Sequence, residues 1–177
     1  MEHDIRDALA SLLPRLRRFA AGLTGSMADG DDLVQRACAR ALDRLHQWQR
    51  GTRLDCWMYR IIQNIWLDER GSRQVRGQEA LAPASATAGE DGEQVAETRL
   101  TLHAVRRALL QLSEEQRAVL MLVCVDGLSY KETADTLGIA TGTVMCRLAR
   151  GRLALYEKLE ASNIKVDGNI INLVGRQ

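Results

Sequence analysis

Apolar residues recur at steps of three and four along most of this chain, the spacing of helices that bury one face. Ile5, Leu9, Leu12, Leu16, Phe19 and Leu23 predict a helix over residues 4–23, which Pro14 must kink or restart and Gly22 to Gly25 close. Ser26 followed by Asp29 opens a second helix running to residue 48, with Leu33, Ala37, Ala41 and Leu45 inward and Asp31, Asp32, Gln35, Arg36 and Arg40 outward. Residues 49–55 are a polar loop, and a third helix from Cys56 sets Trp57, Ile61, Ile65 and Trp66 on its apolar side. The period then stops. Residues 76–97 are rich in Ala, Gly, Glu and Ser and bury too little to order themselves, which marks a linker. It resumes at Leu100, Val105, Leu109 and Leu112, after which Ser113 and Gln116 cap a helix that runs to about Gly127.

The most informative stretch is residues 127–155. Ser129 and Glu132 form a capping box, Ala134 and Leu137 point inward, and Gly138 stands where a helix ends in a left-handed residue. Ile139 to Gly142 make a turn. A second helix resumes near Thr143 with Val144, Leu148, Leu153 and Leu155 toward a core and Arg147, Arg150 and Arg152 mainly outside it. A short helix, a tight turn and a second helix with three Arg and no acid over residues 143–152 form a helix-turn-helix, which lays its second helix in a major groove. Arg there forks onto guanine or holds phosphate. The competing account is a plain helical hairpin with solvated arginines. In the tail, residues 161–177, an Asp167-Gly168 turn between apolar runs is a weak hairpin signal.

Composition sharpens this picture. With 177 residues, 46% of them hydrophobic, the chain has room for one or two small all-helical domains. A net charge of +1 excludes a generally basic coat, so any DNA contact comes from local clusters, and only residues 76–98 are distinctly acidic, with five acids against one base. Cys38, Cys56, Cys124 and Cys146 show no paired spacing and read as reduced thiols of a cytoplasmic protein. His3, His46 and His103 are scattered, so neither a metal nor a cofactor is expected. No nucleophile with its base and no phosphate loop is present, which argues against an enzyme. No leader or long apolar run is seen, so the expectation is a soluble protein without membrane insertion.

The runs LRRFAAGLTG, DDLVQRACARAL and WMYRIIQNIWLDE, followed by LSEEQRAVLMLVCVDGLSYKETADTLGIATGTVMCRLARGRL, make the chain resemble the extracytoplasmic-function group (group 4) of bacterial sigma factors across residues 8–158. The resemblance implies an all-α fold of two sigma domains, 1–75 and 98–160, joined by the flexible acidic linker 76–97. The implied function is promoter-specific initiation with core RNA polymerase under control of an anti-sigma factor. Asp32, Gln35, Arg36 and Arg40 match the surface that docks on the clamp helices of the largest subunit, and the second domain would meet the flap of the second-largest subunit. Trp48, Arg50, Arg53, Arg60 and Asn64 match the part that captures unpaired bases of the minus-ten element, whereas Trp57 reads as core. Tyr130, Lys131, Thr143, Met145, Cys146, Arg147, Arg150 and Arg152 match the group that reads and grips the minus-thirty-five element.

Several positions depart from the family pattern. Ser113 replaces a frequent Pro and Cys146, a weak donor, a usual Ser. Ala140 replaces a capping Ser at about 1 kcal/mol, which Thr141 would partly restore, and Gly151 replaces a usual Ala at a similar cost in helix propensity. Promoter elements centred roughly 50–70 Å apart are within reach of the 22-residue linker, about 70 Å when extended. A relaxed coil of that length averages about 25 Å and lets the domains fold together. Two other readings stay open. A helix-turn-helix activator would not need the first domain, and a sigma mimic that titrates an anti-sigma factor has no reason to keep three arginines on its recognition helix.

Overall fold

The computed structural model describes residues 2–49, 51–75 and 93–162, and among these every element is helical. The tail turn at Asp167-Gly168 and most of the linker lie outside them. α1 (Glu2–Thr24) continues through Pro14 without the expected restart. α2 (Met27–Asp43) starts from the Ser26 side chain, which accepts the Asp29 amide at 3.4 Å. The two cross closely because residue 30 is glycine: a Cβ there would stand 2.7 Å from the Ala21 backbone nitrogen. α2 is shorter than expected, giving way to a 3-10 turn at Leu45–Gln47.

α3 (Leu54–Val75) starts earlier than its apolar period suggested, so Asp55 belongs to a helical first turn and is buried rather than lying in a polar loop. Leu16, Phe19, Leu23, Leu33, Met58, Tyr59 and Ile62 fill the space between α1, α2 and α3, with Phe19 edge-on to Tyr59 at 5.0 Å.

In the second half α4 (Glu93–Leu110) begins ahead of residue 98, so the end of the expected linker is helical. α5 (Glu114–Leu120) has the full Ser113–Gln116 capping box. The chain then widens into a π-helical segment, Met121–Val125, where a single regular helix was expected, and the Asp126 amide donates to the Met121 carbonyl at 2.9 Å. α6 (Tyr130–Leu137) has both bonds of the Ser129–Glu132 box and stops at Gly138, whose φ of 67° is left-handed. α7 (Thr141–Ala161) lacks a side-chain cap at Ala140, so Thr141 restores nothing. Leu153 is 61% exposed and does not join the core, which takes Gly151 and Leu159 instead. Gly151 has a packing reason: a Cβ there would meet Leu120 Cδ1 at 3.0 Å.

The halves are folded onto each other. Ala118, Met121, Leu122 and Leu128 share one core with α1 and α3, whereas Val119, Leu120, Val144, Leu148, Leu155 and Leu159 form a second core inside the C-terminal half. Gly22 leaves room for Met121, whose Cε would be 2.6 Å from an added Cβ. Buried Arg117 of α5 donates to the Leu23 carbonyl at 2.6 Å, closing the C-terminal end of α1.

Candidate nucleic-acid interface

One basic surface is built where α2 ends, the chain loops and α3 begins. Trp48, Arg53, Arg60 and Asn64 of the expected minus-ten group come together around a cavity of about 690 Å³, which Arg40, Arg44 and Trp57 also line. Arg50 lies outside the described residues. Trp57 is half-buried and touches the core as expected, yet it also borders this cavity, so its two readings are not exclusive. The indole N–H of Trp48 is buried without a partner.

The cavity is roofed by α6. Glu132, Asp135 and Thr136, at the i, i+3, i+4 spacing of one helix face, form its other wall. Arg53 donates through one Nη to the Glu132 carboxylate, and its Nε donates to Asp55 Oδ1 at 3.0 Å. Arg60 donates through Nε to the Thr136 carbonyl at 3.1 Å and through Nη2 to the Asp135 carbonyl. The guanidinium groups expected to hold an unpaired strand are therefore engaged by the first helix of the helix-turn-helix.

A chain of charges continues beneath them. Arg15 of α1 donates to Asp55 Oδ2 at 3.3 Å and to the Asp126 carbonyl at 3.1 Å, and its Nε stands 3.7 Å from the buried Asp126 carboxylate. Burial pushes Asp55 up, but the hydrogen bonds from Arg53 and the Cys56 amide outweigh it and hold this carboxyl below the usual range. Burial also pushes Asp126 up, and there it prevails over Tyr59 and Arg15. The Tyr59 phenol is raised in turn by burial and by the nearby Asp126 charge. Amide and hydroxyl hydrogen bonds from Ser129, then Arg53, keep Glu132 low.

The expected polymerase surface lies on the outer face of α2. Asp32, Gln35 and Arg36 are exposed, with Arg36 paired to Glu69 of α3 and donating through Nε to the Asp32 carbonyl at 3.2 Å. Arg40 is half-buried, 3.9 Å from Asp68, and reaches the cavity edge, so it belongs to both surfaces.

The helix-turn-helix presents a second, open surface. At about 100° per residue, Thr143, Cys146, Arg147 and Arg150 fall within one arc of roughly 100° on α7. Met145, Cys146 and Arg150 are exposed, Thr143 and Arg147 half-buried. No described residue hydrogen-bonds or pairs with the guanidinium of Arg147 or Arg150. Lys131 is exposed, while Tyr130 packs partly on the second core. Arg152 stands apart, turned across the helix toward Cys124, with Nη2 3.6 Å from its sulfur.

The residues the sequence did not point to are Glu132, Asp135 and Thr136 as partners of α3. Glu132 is visible in the sequence only as a cap, and no local pattern announces a contact made across the two halves. Among the described residues no group of three His, Cys, Asp or Glu is placed to hold a metal, and no helix is long and apolar enough to cross a membrane.

Family models match both halves: "Sigma-70, region 4" over residues 102–155 and "Sigma2 domain of PhyR" over residues 9–63. The chain is 33% identical to the ECF RNA polymerase sigma factor EcfG of Rhodopseudomonas palustris, covering 85% of this chain and 82% of that protein. It is 31% identical to the ECF RNA polymerase sigma factor SigM of Mycobacterium tuberculosis, covering 86% and 76%. Among solved structures it is similar to the sigma factor RpoE of Bartonella quintana in complex with the anti-sigma factor NepR, with a TM-score of 0.72, 29% identity and coverage of 89% and 97%.

Proposed function

The chain belongs to the extracytoplasmic-function RNA polymerase sigma factors, and from that premise we propose how its surfaces divide the work of initiation in the bacterial cytoplasm. Residues 1–75 bind core polymerase and the minus-ten element. Residues 98–160 bind the minus-thirty-five element and the flap, with 76–97 as the tether. Asp32, Gln35, Arg36 and Arg40 dock on the clamp helices. Trp48, Arg53, Arg60 and Asn64 hold the unpaired strand, by stacking and by guanidinium contacts to its backbone. Arg147 and Arg150 enter the major groove with Thr143 and Cys146 beside them, while Lys131 grips phosphate; Arg152, turned toward Cys124 on the far side of α7, takes no part in this face.

The observation that carries this reading is the co-occurrence, on one chain in sigma order, of a Trp and Arg cavity at the start of α3 and an open arginine face on α7. The chain acts by recruiting and positioning polymerase, not by chemistry of its own. A relative in this family is held by an anti-sigma factor, and we assign the same kind of control here: a regulator that grips both halves would keep them closed. Gel filtration with bacterial core polymerase, followed by transcription over a pool of promoter fragments, tests the proposal. Co-elution and discrete start sites are expected; a chain that never joins core overturns it.

A further inference from the structure

We infer that α6 is an intramolecular stand-in for nucleic-acid backbone, and that by occupying Arg53 and Arg60 it masks the minus-ten surface of the free chain. This inference rests on the proposed role of those two arginines and adds a regulatory contact to it. The groups that α6 offers are acceptors of the kind a phosphodiester strand presents: one carboxylate, Glu132, on Arg53 and two successive carbonyl oxygens, of Asp135 and Thr136, on Arg60. The carbonyls belong to the C-terminal end of α6, where unsatisfied carbonyls carry partial negative charge. Glu132 is committed twice, since its other oxygen caps the Ser129 amide at 2.8 Å, and this fixes the carboxylate against the cavity.

The contact is built to be reversible. Arg53 and Glu132 are both partly solvent-exposed, so their ion pair is weak and screened by salt. Closure leaves the Trp48 indole N–H buried without a partner, desolvation that opposes it. A strand with many phosphates can displace such a contact once polymerase has drawn the halves apart.

Two variants test this. Glu132→Gln removes the charge while keeping a side chain that serves the capping box. Thr136→Cys places a thiol beside Cys56, whose side chain already touches the Thr136 hydroxyl, so that oxidation ties α6 to α3. The probe is a labelled, mixed-sequence single-stranded oligonucleotide of about a dozen nucleotides, titrated by anisotropy into the full-length chain without polymerase. Glu132→Gln is expected to tighten binding about two- to fivefold, the range open to one exposed ion pair. Oxidised Thr136→Cys is expected to bind more weakly than wild type and to recover on reduction. Wild-type affinity in Glu132→Gln and in both redox states of Thr136→Cys would overturn the mask. Initiation by each reduced variant with core polymerase, run alongside, reports separately on the sigma reading. Normal initiation with unchanged strand binding removes the mask and leaves that reading standing.

Discussion

The two surfaces proposed to meet nucleic acid in this sigma factor are in opposite states. On α7, Arg147 and Arg150 face outward with no protein partner among the described residues, ready for a groove. At the start of α3, Arg53 and Arg60 are equally cationic but spoken for by α6. The difference follows from architecture. α6 and α7 are two helices of one motif, so the face of α6 that turns away from DNA is available to the other half of the chain. On the proposed roles, a closed chain presents its duplex reader while withholding its single-strand reader. Capture of unpaired bases is tied to separation of the halves, which spanning two promoter elements demands in any case.

That contrast can be broken at its foundation. Tyr59 of α3 is wholly buried, packs on Phe19 and lies against Asp126. Tyr59→Ala should cost about 3–5 kcal/mol, and thermal unfolding should lose the N-terminal half first. A transition within a degree of wild type would show that the described core is wrong.

Next in size is the open surface. Arg147→Ala should cost about 1–3 kcal/mol at one base and relax selection there, whereas Arg152→Ala, at a side chain turned toward Cys124, should leave base selection unchanged. Initiation on promoters randomised in the upstream element separates the two. A uniform loss for Arg147→Ala would reverse the assignment.

The smallest effect concerns pH. The folded pKa of Asp126 is raised by burial, so its contribution favours the folded state in acid and is lost as pH rises through that raised value. Arg15 and Arg18 of α1 and Tyr59 of α3 are the charged or titratable groups that face it. Asp126→Asn should melt above wild type at alkaline pH, with the gap closing as pH falls toward the ordinary carboxylate range. Asp55 and Glu132, held low, act with the opposite sign: their contribution is lost only as pH falls through their depressed values, below the ordinary carboxylate range. A gap that widens in acid would contradict the burial of Asp126.

What the sequence made legible is what is encoded locally. The boxes at Ser113 and Ser129, the cap at Ser26 and the stop at Gly138 each depend on residues within a few positions, and each is present. Leu153 was misplaced because an apolar residue at helical spacing says nothing of which stripe the fold buries; α7 buries the one through Val144, Leu148, Leu155 and Leu159. Asp55 looked like loop polarity because its partner Arg15 becomes visible only once α1 and α3 are side by side. The clustering of Trp48, Arg53, Arg60 and Asn64 was legible through family resemblance, but their occupant was not. A polar contact between halves leaves no period.

The most direct test of the account is a distance. With the four native cysteines replaced by serine, spin labels at positions 68 on α3 and 135 on α6 report whether the halves are together. In the free chain the labels should lie within about 25 Å, since packed helices run roughly 10 Å apart and the label arms add the rest. In the complex with core polymerase and promoter DNA they should separate to about 50 Å or more, the span of the two elements. The same short distance in both states would contradict a sigma factor that opens to bind its promoter, and a long distance in the free chain would contradict the closed form.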